Sequence, residues 1–343
     1  MAYTTIDDPS KHFQAQEYTG TGATQSVVND GNSNLKPDWV WIGGKASGDN
    51  NSIFDSTRGA TKELISNGAN AEATDAQLLT QFDTDGFTVG TNGGVNGSGD
   101  GYIAWQWKAN GGTTSTNTNG TVNSTVQANT TAGFSIVKWA SDGAPDTIGH
   151  GLNQAPDWIF MKSTVSGLHW FGYSRNLGAG KQHLLALNYI QSNTSVLNNT
   201  DPSSTVFYTN HNDVSSGGMI AYCFHEVQGY SKFGQYHGNG SSSNGPLVYL
   251  GFKPALFIIR RDGSANWLIF DIERSINLND NYIYANSNSA EGTSSSAGVD
   301  FLSNGVKIRN TYNDGNASGA KYVYMAFAHN PFVTSTGIPT TAR

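Results

Sequence analysis

Pro37-Asp38-Trp39-Val40-Trp41-Ile42 is a proline followed by an unbroken apolar run, and the chain carries the pattern twice more, as Pro156-Asp157-Trp158-Ile159-Phe160-Met161 and Pro254-Ala255-Leu256-Phe257-Ile258-Ile259. Successive side chains on a strand point to opposite faces. Trp39 and Trp41 therefore share one face, and Val40 and Ile42 the other. A strand that is apolar on both faces has to be covered on both sides. In a two-sheet sandwich the second cover is a loop, a neighbouring module or another subunit. On this reading Trp39, Trp158 and Phe257 are buried.

The landmarks around the three runs recur in one order. A Gly-rich approach precedes each: Tyr18–Gly22, Ile148–Gly151 and Tyr236–Gly240. A second strand follows each: Ser52–Ser56, His169–Tyr173 and Trp267–Asp271, with Arg58, Arg175 and Arg274 shortly after. Next come Asp85–Val89, Ser204–Tyr208 and Asn304–Ile308, where apolar residues alternate in the first and third as on a half-buried strand. Each copy closes on an aromatic strand: Tyr102–Trp107, Met219–Phe224 and Tyr322–Phe327. The expected fold is all-β, with three tandem β-sandwich modules at 18–108, 133–227 and 228–330. Residues 109–132 are polar and nearly free of large apolar groups, a linker composition. Segments 1–17 and 331–343 read as extended terminal arms.

Composition agrees. Of 343 residues, 13% are charged, Gly supplies 41, and 8 Trp, 15 Tyr and 16 Phe provide large apolar groups for strands. Such a chain turns often and stays soluble through neutral polar groups. A net charge of −7 without a Lys/Arg run argues against a nucleic-acid partner. The N-terminal stretch lacks the basic and apolar regions of a signal peptide. No apolar stretch approaches the ~20 residues of a membrane-spanning helix. The lone Cys223 lies in an apolar run and reads as a buried small hydrophobe.

Catalytic patterns are missing at sequence level. No pair of the 8 His has metal-ligating spacing, and His225-Glu226 lacks the second His of a zinc motif because Gly229 stands there. There is no G-x-S-x-G elbow and no phosphate-binding loop. Asp83 and Asp85 precede Gly86 and read as turn-closing carboxylates rather than a glycosidase pair or a calcium loop. No cofactor or metal is expected. The Trp residues read as core. Tyr18, Tyr236 and His237, in Gly-rich loops, are the candidates for ligand contact.

Several longer stretches carry a resemblance: Ala2–Pro9 through His12-Phe13-Gln14, Phe54–Lys62, Gly229–Gly234, Gly251–Pro254, Asp300–Gly305, and Asn330–Val333 through Thr341–Arg343. Over essentially its whole length the chain resembles a domain of unknown function that recurs in marine bacteriophages. It departs from that family's pattern at Gly43-Gly44, where a Lys-Asn-Arg stretch is usual. The modules are also similar in pattern to concanavalin-like or SPRY-type sandwiches. The resemblance implies a non-enzymatic virion structural protein and brings no catalytic residues. The first expectation is a tail-fibre or receptor-binding component. A capsid or tail decoration protein is the alternative, and a virion-borne glycan hydrolase stands behind both. The expected partners are other virion proteins, further copies of the chain (a trimer by preference, held by a terminal arm) and a host surface glycan or protein, with no membrane insertion.

Overall fold

The computed structural model describes residues 2–46, 48–185, 190–192, 196–210, 214–274, 280–294 and 296–340. Three modules share one strand plan. In module 1 the opening strand Phe13–Thr19 pairs with the closing strand Gly101–Trp107, which pairs with the Pro-led strand Trp39–Gly44; Ser52–Asp55, Lys62–Ile65 and Ala73–Thr74 extend the sheet in turn. Module 3 repeats the order with Ser231–His237, Lys321–Pro331, Phe252–Arg261, Trp267–Asp271, Asn281–Tyr284 and Gly292–Thr293. Module 2 does so with Phe134–Ser141, Gly217–Phe224, Trp158–Ser163, Phe171–Ser174, Lys181–Leu184 and Ile190–Ser192. A small antiparallel sheet covers one face of each: Gln25–Val27 with Phe87–Val89 and Leu79–Phe82, Thr147–Gly149 with Val206–Tyr208, and Leu247–Tyr249 with Gly305–Ile308 and Val299–Leu302. The chain is an all-β protein of β-sandwich class.

The two faces of the Pro-led strands go to different cores. Val40 and Ile42 pack with Val27, Phe87 and Val89 inside module 1, and Phe257 and Ile259 pack with Val248 and Val306 inside module 3. Trp39 and Trp41 turn the other way. They join Trp158, Phe160, Leu256 and Ile258 in one central cluster drawn from all three modules. The second cover is thus a neighbouring module. Trp39, Trp158 and Phe257 are each at most 1% exposed.

The closing strands meet at the centre. Trp107, Phe224 and Phe327 occupy the same position in their modules, and each touches the other two: ring centroids lie 6.3 Å (Trp107–Phe224), 5.7 Å (Phe224–Phe327) and 5.4 Å (Trp107–Phe327) apart. Three equivalent residues in mutual contact mark a pseudo-threefold axis. Around it, Trp39 stacks on Tyr222 at 4.6 Å and Trp158 meets Trp267 at 6.1 Å.

Two seams between modules carry the same buried polar device. Asp55 and Asp271 hold equivalent registers, opposite Trp39 and Leu256. Arg58 and Arg274, three residues on, each pair with their own aspartate and donate to the carbonyls of Ile53 and Ile269. Each also reaches a second carboxylate, Glu72 or Glu291, at 3.3 and 3.1 Å. The neighbouring module completes the set: the Tyr222 hydroxyl of module 2 donates to Asp55 at 2.7 Å, and the Trp105 indole of module 1 donates to Asp271 at 3.1 Å. Equivalent main-chain bonds cross beside them, Glu72 N–H to Thr164 O and Glu291 N–H to Lys45 O. Burial alone pulls the Arg58 guanidinium down, but Asp55 and Tyr222 outweigh it and hold the proton more firmly than water does.

Module 2 departs from this device. Opposite Trp158 stands Ser174, three residues on stands Leu177, which packs on the central cluster, and the position equivalent to Trp105 and Tyr222 is Met325 in module 3. Arg175 is therefore not the counterpart of Arg58 and Arg274. It pairs on the surface with Asp157 at 2.8 Å. An ion pair taken out of water needs all its partners, and the third seam replaces carboxylate, guanidinium and donor together.

Three boundaries need correction. Residues 109–132 are not a free linker, because Ser115–Asn117 and Ser124–Asn129 form a hairpin that extends the module 2 sheet. Its inward residues bond well: Gln127 donates to Ser56 and Thr57 of module 1. The N-terminal arm ends before Phe13, where the first strand starts, and the last strand runs to Pro331. At Gly43 the missing side chain has a spatial reason. A Cβ there would meet Ile283 of module 3 at 3.1 Å and Trp105 at 3.2 Å, so glycine lets two modules close.

The shared centre predicts one cooperative unfolding transition for the whole chain. Phe224→Ala should lower stability by about 3–5 kcal/mol and shift that single transition in calorimetry; separate module transitions would contradict the shared core. Arg274→Leu strands a buried Asp271 and should cost about 3–5 kcal/mol. Adding Asp271→Ser reproduces the module 2 pair, so the double variant should be more stable than Arg274→Leu alone. Denaturant titration of both singles and the double checks this, and simple additivity would refute the paired reading.

Candidate functional site

The N-terminal arm crosses from module 1 to module 3. Asp8 caps the short turn Pro9–Lys11 by accepting from the Ser10 N–H, and its other oxygen accepts from Ser33 at 2.6 Å. Ile6 enters the central cluster. Beyond it the Thr4 hydroxyl donates to Gln228 O at 2.8 Å, and the Tyr3 hydroxyl donates to Gly251 O at 2.6 Å. Two glycines receive the arm. Gly229 (φ +79°) would place a Cβ 2.8 Å from Thr4, and Gly251 (φ +80°) would place one 2.5 Å from the Tyr3 hydroxyl. A side chain at either would be strained and would collide.

The docked arm forms one wall of a groove in two adjoining parts. One part, about 500 Å³, lies between Thr4 and Thr5 of the arm, Thr130 and Gln154 of module 2, and the connection from His225 to Gln228. The other, about 290 Å³, is lined by Tyr3, Glu226, Gln228, Lys232 and Tyr249. Tyr3, Glu226 and Gln228 border both. Tyr249 is 53% exposed although it sits on a strand, and the Lys232 ammonium lies over its ring at 5.6 Å. Partial burial raises the Glu226 carboxyl above its usual range, and Lys232 pulls against that. Burial and the Tyr249 hydroxyl push Tyr3 up to about 12.

His225 lines the same groove. Its Nδ1 lies 3.0 Å from the Glu226 carbonyl, and its Nε2 is buried without a hydrogen-bond partner. The nearest second carboxylate is engaged: Asp157 accepts from the Glu226 N–H at 2.7 Å and pairs with Arg175. The groove therefore offers hydroxyls, amides, one carboxylate, one ammonium and an exposed aromatic ring. Among the described residues no group of three or more His, Cys, Asp or Glu stands where it could hold a metal ion, and no helix is long and apolar enough to cross a membrane.

A family model described as a domain of unknown function (DUF7483) matches residues 8–331. The chain belongs to the DUF7483 family. No curated protein and no solved structure matches it. The matched span begins after Tyr3 and Thr4, so the arm wall of the groove stands outside it, whereas the receiving glycines of this DUF7483 chain lie within.

The residues singled out by sequence do not assemble a site. Tyr18 and Tyr236 are buried equivalents in modules 1 and 3. They stack on Tyr102 and Tyr322 at 5.2 and 4.9 Å, and their hydroxyls donate to Val95 O and Gly315 O. They pin short helical turns, Gly93–Asn96 and Asn313–Asn316, and are not open to a ligand. The asparagines ending those turns, Asn96 and Asn316, were missed; both are fully buried, and their amides tie three loop segments together. His237 is exposed at a strand end, opposite Lys321, away from the groove. Asp83 and Asp85 close their turn, accepting from Thr88 and from the Leu35 N–H. Cys223 is fully buried, which raises its thiol pKa.

A smaller cavity, about 130 Å³, lies on the seam of modules 1 and 3 between Gln14, Asp30, Asn32, Glu273 and His329. Burial, with Asp30, Asp271 and Glu17 adding like charge, pushes Glu273 up to about 7. A carboxyl raised in the folded state binds its proton there more tightly than in the unfolded chain. Stability should therefore fall as pH rises from about 4.5, the unfolded value, to about 7. Glu273→Gln should flatten that part of the profile. Melting temperatures of both proteins from pH 4.5 to 8 check the sign, and parallel profiles would refute it.

Proposed function

We propose that this protein is a structural component of a bacteriophage particle, placed where the particle meets its host, as a tail-fibre or receptor-binding element. The motifs from Ala2 to Arg343 that resemble phage virion proteins point there. The structural observation that supports the reading is the three-module closure: the large aromatic groups are concentrated inside, around Trp107, Phe224 and Phe327. A body closed in this way is a rigid support that presents loops and grooves outward. Its surface is rich in neutral polar groups, and net charge is −7, so it does not favour the packaged genome.

The homo-oligomer expected from sequence, a trimer by preference held by a terminal arm, remains part of this proposal, beside contacts with other virion proteins. Within the chain the N-terminal arm lies on module 3.

The test is to locate the protein in purified particles by gold-labelled antibody and density mapping. Label at the tail tip supports the proposal. Label spread over the shell would replace it with the decoration reading, and particles free of the protein would overturn both.

A further inference from the structure

We propose that the groove between the docked arm and modules 2 and 3 is a binding site for a neutral oligosaccharide, with Tyr249 as its stacking platform. The inference rests on the host-contact reading for the source of the sugar, but its chemistry rests on the groove alone. A pyranose presents an apolar C–H face and a rim of hydroxyls that both donate and accept. The groove supplies the complement. Tyr249 is about half exposed on a strand where its neighbour, Val248, is buried in the module core. Beside it stand acceptors (Glu226 and the carbonyl of Gln228) and a donor (Lys232), and the other part of the groove adds groups that do both (Thr5, Thr130, Gln154).

Two observations favour a neutral sugar over a charged ligand. The Lys232 ammonium beside the Tyr249 ring would repel an added cation. A polyanion would meet the Glu226 carboxylate inside the groove and a chain of net charge −7 outside it.

The site exists only with the arm in place. Tyr3, Thr4 and Thr5 form a wall that residues 13–331 cannot supply, and Gly229 and Gly251 are shaped to receive it. Arm docking and ligand binding are therefore coupled: either should stabilise the other.

The experiment uses the full chain and saturation-transfer NMR against neutral oligosaccharides built from glucose, galactose, mannose and N-acetylglucosamine, with polygalacturonate as the anionic comparison. Wild type should give transfer to the C–H protons of at least one neutral sugar and none to polygalacturonate. Tyr249→Ala should weaken binding tenfold or more while the chain keeps its single cooperative melting transition. Leu247→Ala, on the same exposed strand face, should bind as wild type does. Gly251→Val, which bars the arm, should abolish binding; retained melting cooperativity will show that the modules still close. Failure of every neutral sugar, or wild-type binding by Tyr249→Ala, would overturn the site. Particles that carry the protein while no sugar binds would sink this inference alone. Sugar binding by a protein absent from particles would sink the host-contact reading and leave the site standing.

Discussion

Trp107, Phe224 and Phe327 touch one another at the point where three sheets converge, and the rest of the architecture depends on that contact. Each ring is carried by a closing strand that lies between the opening and Pro-led strands of its sheet. Bringing three such strands together turns one whole face of every large sheet inward. That face cannot then be polar, which is why the Pro-led strands are apolar on both sides. Each module remains a sandwich in its own right, with its own small core, but none could expose its inner face to water. Wet, the fully buried Trp39, Trp41, Trp158 and Trp267 would form an apolar patch far larger than a soluble module tolerates.

The seams show how a threefold body can be held by unequal chemistry. At two of them a buried Asp–Arg pair is completed by a donor from the next module, a tyrosine in one case and a tryptophan in the other. At the third, serine, leucine and methionine occupy the same positions. Both solutions obey one constraint, that a buried charge must have every partner present or be absent altogether. Partial replacement is what the packing forbids. The polarity of the contacts, with module 1 reaching to module 2 and module 3 reaching to module 1, is that of a head-to-tail interface that closes after three steps.

The arm explains why a candidate site sits where it does. A chain that begins in module 1 and ends in module 3 has a seam where its termini lie, and residues 2–8 run across it. Asp7 accepts from Ser335 in the C-terminal segment, which ties both ends of the chain together there. Grooves form where irregular backbone crosses regular sheets, because loops leave side chains and carbonyls unpaired while strands do not. The groove beside Tyr249 is built from the arm, a hairpin turn, and the connection between modules 2 and 3.

The sequence by itself determined the repeat, the all-β class and the burial of the Pro-led strands. These rest on periodicity and on the order of landmarks, which survive without knowledge of contacts. The sequence misread Tyr18 and Tyr236 as open because a Gly-rich neighbourhood signals a loop, while the stacking partners Tyr102 and Tyr322 lie far along the chain. It read residues 109–132 as a linker because a hairpin at a sheet edge, bonded through its backbone and through Gln127, needs few apolar groups. Only the tertiary structure decided which module covers which face, that the third arginine is not an equivalent, and that Tyr3, Glu226, Lys232 and Tyr249 share one groove. The physical reason is the same in each case: a strand's periodicity is local, whereas the partner of a buried face is set by closure of the whole chain around its central rings.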